Sequence, residues 1–228
     1  MQLHSFLEDN LSSYEWRILI ADNGSTDSTL SIAQGLSQEH SGVDVLHLEQ
    51  KGRGRALRRA MLEGQADIAC YMDVDLSTDL NALPPLADAI AKEGYDISIG
   101  SRLMRESLVE RAFKREFISR SYNILVKGMF FTSFKDAQCG FKALSRPAIK
   151  KLIPLVKDQG WFFDSEFLIL AEKNGYRIKE IPVRWIDDPD SRVNVVKTAS
   201  EDIKGLLRLR FGGLRKASKD LRGGPTTS

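Results

Sequence analysis

The 228-residue sequence, 42% hydrophobic and 28% charged, has the length and composition of one globular domain, or a domain with a tail, and can bury a real core. A net charge of +2 argues neither for nor against a nucleic-acid or membrane partner, and two cysteines, Cys70 and Cys139, make neither a disulfide framework nor a zinc site. No apolar run approaches the length of a transmembrane helix and the N-terminus lacks the basic-then-apolar pattern of a signal peptide, so a cytoplasmic chain with reduced thiols is expected.

Leu3, Phe6, Leu7 and Leu11 recur at helical spacing, and residues 16–21 read as a strand. The strand delivers Asp22-Asn-Gly-Ser-Thr-Asp-Ser-Thr29, a turn-forming cluster whose Ser and Thr can cap a helix over 29–38. A second strand, 43–48, leads into Gln50-Lys-Gly-Arg-Gly-Arg-Ala56, which opens a helix running to about residue 64. Gly52 and Gly54 permit close approach of a backbone, while Lys51, Arg53 and Arg55 put positive charge where it opposes the helix dipole; together they suit a phosphate. The third strand, 67–72, runs into Asp73-Val-Asp75. Ligands of open α/β sheets bind at that carboxyl end, and two carboxylates with Ser77 and Thr78 beyond form a hard-oxygen site for Mg²⁺ or Mn²⁺. The bland alternative is that one Asp caps the helix starting near Leu80 and the other is a solvated loop residue. A helix over 81–92 and a strand over 96–100 complete a βαβαβ alternation, which predicts a doubly wound, mostly parallel sheet.

Several motifs now stand in order: Ala21-Asp-Asn-Gly-Ser-Thr-Asp27, Lys51-Gly-Arg-Gly-Arg-Ala56, Met72-Asp-Val-Asp-Leu-Ser-Thr-Asp79 and Gly100-Ser-Arg102. They are followed by Asp136-Ala-Gln-Cys-Gly-Phe-Lys142, Trp161-Phe-Phe-Asp-Ser-Glu166, Glu180-Ile-Pro-Val-Arg-Trp185 and Asp190-Ser-Arg-Val193. Each is weak alone. As an ordered set covering nearly the whole chain, they resemble the inverting family 2 glycosyltransferases, with the Rossmann-like, nucleotide-sugar-binding GT-A fold. More narrowly they resemble the polyprenyl-phosphate branch, the dolichyl-phosphate mannose and glucose synthases and their prokaryotic relatives. Two departures stand out. Asn23 takes the place of the second acid before Gly-Ser-Thr-Asp, leaving the nucleotide-contacting role to Asp22. The family also opens with a strand before its first helix, and here the sequence begins in mid-helix. Met1 is therefore expected to be an internal methionine, and the strands at Ile18 and Ile68 to lack their shared neighbour.

The resemblance implies that Asp22 and Lys51 contact the nucleotide, and that Asp73 and Asp75 hold it with a divalent metal. It makes Asp136, Asp75 and Arg102 the catalytic candidates, Gln138 a contact for a sugar hydroxyl, and Arg192 a cation reaching the donor diphosphate. Residues 101–127 carry seven Lys or Arg against three Asp or Glu. Within them Arg102, Arg115 and Arg120 are candidates for an acceptor phosphate, since Arg offers a planar donor fork suited to phosphate oxygens; ordinary ion pairs on a solvated helix face are the competing reading. Asp164 and Glu166 open a helix, where the dipole alone favours acids. His4, His40 and His47 read as surface or strand residues and not ligands.

Residues 203–219 hold six Lys or Arg and no acid, interleaved with Leu206, Leu207, Leu209, Phe211 and Leu214. Such a basic amphipathic helix can lie on an anionic membrane surface or pack on the domain. The chain thus divides, on this reading, into a catalytic domain over 1–200 and a basic helix with a frayed tail over 201–228. The function implied is metal-dependent, inverting transfer of a hexose from UDP-glucose or GDP-mannose to a polyprenyl phosphate lipid, with peripheral contact at the cytoplasmic membrane face and no nucleic-acid partner. The alternatives are transfer to a saccharide hydroxyl, with Asp136 as a true base, a truncated non-catalytic nucleotide-binding remnant, and a nucleotidyltransferase.

Overall fold

The computed structural model describes residues 2–110, 113–186 and 195–223. Helix α1 (Gln2–Asn10) precedes β1 (Ile18–Asp22), α2 (Thr29–Glu39), β2 (Val43–His47), α3 (Arg53–Glu63) and β3 (Ile68–Tyr71). After a 3-10 turn at Leu80–Ala82 come α4 (Leu83–Ala91), β4 (Ile97–Ser101), β5 (Leu108–Glu110) and α5 (Phe113–Phe130). Then follow β6 (Lys142–Ser145), α6 (Arg146–Leu152), α7 (Phe163–Lys173), β7 (Ile178–Pro182), β8 (Arg184–Ile186), α8 (Val195–Arg208) and α9 (Leu214–Gly223).

The α/β alternation read from periodicity is present, and β1 and β2 pair in parallel, as do β4 and β7. One strand departs from the parallel expectation: β6 inserts antiparallel between β3 and β4, giving the order β3-β6-β4-β7. Among the described residues β1 pairs only with β2 and β3 only with β6, so the strands at Ile18 and Ile68 share no neighbour. Alternation along the strands sorts side chains into two cores. In β6, Leu144 joins Ile97, Ile99, Phe163 and Phe167 on the face covered by α6 and α7. Ala143 joins Leu7, Leu11, Leu83, Leu86 and Val183 on the face covered by α1 and α4.

The basic C-terminal segment forms part of this packing. Helix α8 begins before residue 201 and carries Leu206 into the first core, and Leu209, just past its end, enters the same core. Gly205 lies so close to the Phe162 ring that a Cβ would come within 2.2 Å of it. The segment kinks at Gly212 (φ +117°), a backbone conformation that glycine adopts without steric cost, and continues as α9. The frayed tail expected at the end lies outside the described residues from position 224.

Candidate active site

The loops after β1, β3 and β4 bring Asp22, Asp73 with Asp75, and Arg102 to strand ends. At the end of the same motif the local chemistry settles one question: Asp79 accepts from the Asn81 amide (2.9 Å) and is the cap of the 3-10 turn at Leu80–Ala82. Asp73 and Asp75 are thereby left out of the capping role. Asp75 accepts from the Ser77 amide (2.9 Å) across a tight turn in which Leu76 takes a left-handed φ of +51°. Asp73, Asp75, Ser77, Thr78, Phe141 and Trp185 line a concave site. Thr78 is buried, and its backbone bridges to Trp185. The Asp-Ala-Gln-Cys-Gly loop presses against this site from below, since a Cβ on Gly140 would lie 2.0 Å from Asp73 Oδ2.

The donor set fits a divalent cation of the Mg²⁺ or Mn²⁺ kind: two carboxylates at a strand end, with hard oxygens only, facing a cleft. No group of three or more His, Cys, Asp or Glu among the described residues could cage a metal by itself. That suits ions which keep waters and are bound through one or two carboxylates together with substrate phosphates.

Asp136 and Arg102 form the most complete pairing in the site. Arg102 donates from Nε (2.7 Å) and its backbone N–H (3.0 Å) to Asp136 Oδ2, and from Nη2 (2.9 Å) to Oδ1, which also accepts from the Gln138 amide (3.1 Å). Asp136 is fully buried. Burial pushes its carboxyl upward, but the charge and hydrogen bonds of Arg102 prevail and hold it at about 2. Both oxygens are spoken for, so Asp136 is not poised as a general base. Arg102 lies over the Trp185 ring, 5.4 Å from its centroid, which links this pair to the Asp73 cleft.

Other candidates stand in different places from those expected. The backbone that approaches Gly52 and Gly54 belongs to this chain. A Cβ on Gly52 would meet the Gln159 carbonyl at 2.6 Å, and the Gly54 and Arg55 amides donate to the Gly160 and Gln159 carbonyls. The Gly54 and Arg55 amides of α3 are therefore occupied, which counts against the expectation of a phosphate cradle there. Lys51 is exposed, and Arg53 is the cation of that motif that turns inward, pairing with Asp73 (3.1 Å) and Asp164. Asp22 is buried; it accepts from the Ser25 amide and pairs with His47 Nδ1 at 2.7 Å, while its Oδ1 has no hydrogen-bond partner. Burial acts to raise its pKa, yet the bonds from Ser25 and His47 leave it lowered. Asn23 accepts from the Gly52 amide (2.7 Å), tying the first loop to the second. Helix α2 begins with Thr29 donating to Asp27 (3.0 Å from the amide), and the predicted Ser capping is absent at Ser28.

Arg120 pairs with Glu116 one turn away on α5, an exposed ion pair of the kind the solvated-face reading describes. The side chain of Arg115, and Arg192 altogether, lie outside the described residues. Glu166 holds Arg208 of α8 through two bonds (2.9 and 2.7 Å), a structural role. Gln138 donates to Asp202 (3.2 Å), a buried acid on α8 that sequence patterns did not single out. Burial first, and Asp158 nearby, push the Asp202 carboxyl up to about 7. A carboxyl raised in the folded state costs stability as pH climbs from the ordinary carboxylate range, near ~4, up to that value. Asp202→Asn is therefore expected to raise stability by on the order of 2 kcal/mol at pH 8 and by little at pH 4, as read from urea unfolding at the two pH values.

Residues 3–153 match the family model described as glycosyl transferase family 2. The chain belongs to this family. As a family 2 chain it is 37% identical over 201 residues to glycosyltransferase AglD of Haloferax volcanii, covering 88% of this chain and 32% of that protein. It is 29% identical to the dolichyl-phosphate beta-glucosyltransferase of Saccharomyces cerevisiae (95% of this chain, 70% of that protein) and 32% identical to that of Drosophila melanogaster (83% and 62%). The chain thus spans about a third of the archaeal relative and 62–70% of these two eukaryotic ones. Glucosyl-3-phosphoglycerate synthase from Mycobacterium tuberculosis, solved with Mn²⁺, UDP and phosphoglyceric acid, superposes with a TM-score of 0.68 at 19% identity, over 91% of this chain and 71% of that one. At that identity the shared property is the fold, and it is the GT-A fold expected from the motifs.

Proposed function

We propose that this family 2 chain transfers a hexose from a nucleoside diphosphate sugar to a polyprenyl phosphate, with inversion to a β-linked product. The observation that carries the proposal is the saturated Arg102–Asp136 pair. A hydroxyl acceptor must lose a proton as it attacks, and the acid in the family position for that work is locked at about 2 with both oxygens engaged. A phosphate monoester, with a second pKa near ~6, is already largely dianionic at neutral pH and needs no base. What it needs is a cation to place it, and Arg102 supplies one at the end of β4. The same pairing counts against the saccharide-hydroxyl alternative.

Asp73 and Asp75 would hold Mg²⁺ or Mn²⁺, which supplies charge stabilisation for the departing diphosphate. On this reading the chain's own residues position the reactants: Gly140 fixes where Asp73 can stand, Trp185 orients Arg102, and Gln138, tied to Asp202, is the candidate contact for a sugar hydroxyl. The names of the eukaryotic relatives favour glucose, hence UDP-glucose, over GDP-mannose.

Contact with a membrane surface follows from a lipid acceptor. Among the described residues no helix is long and apolar enough to cross a membrane. Ile203, Leu207 and Phe211 are exposed on the basic C-terminal segment, Phe211 to 81%, which supports peripheral contact with a membrane surface. Arg208 is already bound to Glu166, whereas Arg210 and Arg215 are among the exposed cations of this segment that can reach anionic lipid.

Thermal unfolding with Mn²⁺ and either UDP or GDP tests the donor site. A nucleotide at about a hundred times its Kd adds ~2.7 kcal/mol, and the expected result is a metal-dependent shift with UDP. A shift with GDP alone would move the donor to GDP-mannose, and no shift with either would remove the donor site and favour the non-catalytic remnant.

A further inference from the structure

Beneath Asp73 lies a charged cluster that the transfer reaction as described leaves unused. Arg53, at the first turn of α3, has only 14% of its side chain exposed. It donates from Nη2 (3.1 Å) and Nε (3.4 Å) to Asp73 Oδ1 and from Nη1 to Asp164, and it stands between two aromatic rings, 5.8 Å from the centroid of Tyr71 and 5.4 Å from that of Trp161. Asp164 is separately secured by Lys142 (2.8 Å) and by the Tyr71 hydroxyl. The two ends of the guanidinium are thus unequal. Toward Asp164 it meets a buried carboxylate with other cationic support; toward Asp73 it meets a side chain that is 49% exposed and belongs to the metal-holding pair.

Both Arg53 bonds fall on Asp73 Oδ1, so a divalent cation taking the same carboxylate through Oδ2 would stand within a few ångströms of the guanidinium, and the two positive charges repel across one partly neutralised acceptor. We propose that Arg53 is a resident counter-ion that holds Asp73 when no divalent cation is bound, and that on cation entry it releases Asp73 and turns to the diphosphate of the donor, with Asp164 as its fixed anchor. Asp73 is then preorganised in the empty enzyme, and a cation alone binds weakly because Arg53 already neutralises Asp73 and repels the incoming charge. A cation arriving with a diphosphate binds more tightly, since the displaced guanidinium gains a new anionic partner. This inference rests on the metal-dependent reading of the Asp73–Asp75 site.

The test is Mn²⁺ binding, followed by the loss of the free-ion electron paramagnetic resonance signal, to the full chain and to Arg53→Gln, without nucleotide and with UDP. The expected result is about tenfold tighter Mn²⁺ binding by Arg53→Gln without nucleotide, and about tenfold weaker UDP binding at saturating Mn²⁺, each equivalent to ~1.4 kcal/mol. Binding by the variant where the parent chain shows none would also support it. Equal or weaker Mn²⁺ binding by the variant overturns the inference alone, whereas binding by neither chain overturns it together with the metal reading of the site. Asp164 keeps Lys142 and Tyr71 in the variant, which protects the fold. Should Arg53→Gln still fail to fold, Arg53→Lys keeps the charge but cannot span both carboxylates. Tighter Mn²⁺ binding by that variant supports the proposal and unchanged binding overturns it.

Discussion

Asp136→Ala is expected to destabilise the chain by about 3–5 kcal/mol, because it strands the Arg102 guanidinium in the interior. Arg102 has 11% of its side chain exposed and Asp136 none, and the carboxylate also receives the Arg102 and Gln138 amides. One substitution therefore leaves a buried charge and two backbone donors without their acceptor. Removing both charges, as in Arg102→Met with Asp136→Leu, is expected to recover part of the loss in urea unfolding, since an apolar pair carries no uncompensated charge. The pH dependence has a definite sign. The Asp136 carboxyl is lowered to about 2 in the fold, so its contribution is present above the ordinary carboxylate range and is lost as pH falls from ~4 toward 2. The parent chain should lose stability through that window more steeply than the double variant.

Gly140→Ala is the substitution expected to cost most activity for least stability. The added Cβ would lie 2.0 Å from Asp73 Oδ2, and Asp73 is half exposed, so the carboxylate can swing toward solvent and relieve the clash. The fold should lose less than ~1 kcal/mol. The carboxylate would be displaced from its place beside Asp75, and a misplacement of about 1 Å in a positioned group costs on the order of 10²-fold in rate. Transfer activity and Mn²⁺ affinity are the readouts, with a thermal melt to establish that the chain is folded. Unchanged activity would separate Asp73 from the reaction.

What the sequence revealed of this molecule follows the range of the interactions involved. Helices and strands with clear 3.6- or 2-residue periods, such as α2 and β2, stand within a residue or two of expectation, because their signals are local. The acids at the end of β3 were legible for the same reason. The position of β6 was not, since its antiparallel insertion between β3 and β4 depends on pairing residues 142–145 with strands over 40 positions upstream. Distance in sequence likewise hid the partners of the glycine-rich turn. Gly52 and Gly54 were read as open to a phosphate, yet the carbonyls of Gln159 and Gly160, more than a hundred residues on, lie against them. Arg53 was visible as a charge, but its partners come from elsewhere in the chain, Asp73 from the loop after β3 and Asp164 from the first turn of α7, and His47 on Asp22 and Asp202 on Gln138 are likewise pairings between separate elements. Motif order could identify the family; it could not say which cation of a basic run faces inward.

The central claim is that the acceptor arrives already ionised and needs no enzyme base. It is tested most directly by incubating the chain with Mn²⁺, radiolabelled UDP-glucose and either dolichyl phosphate or neutral dolichol, and measuring label in the lipid phase. The account predicts labelled product from dolichyl phosphate and none from dolichol. Comparable labelling of the neutral alcohol, or transfer to an added saccharide with none to dolichyl phosphate, would contradict it and return a proton-abstracting role to the site.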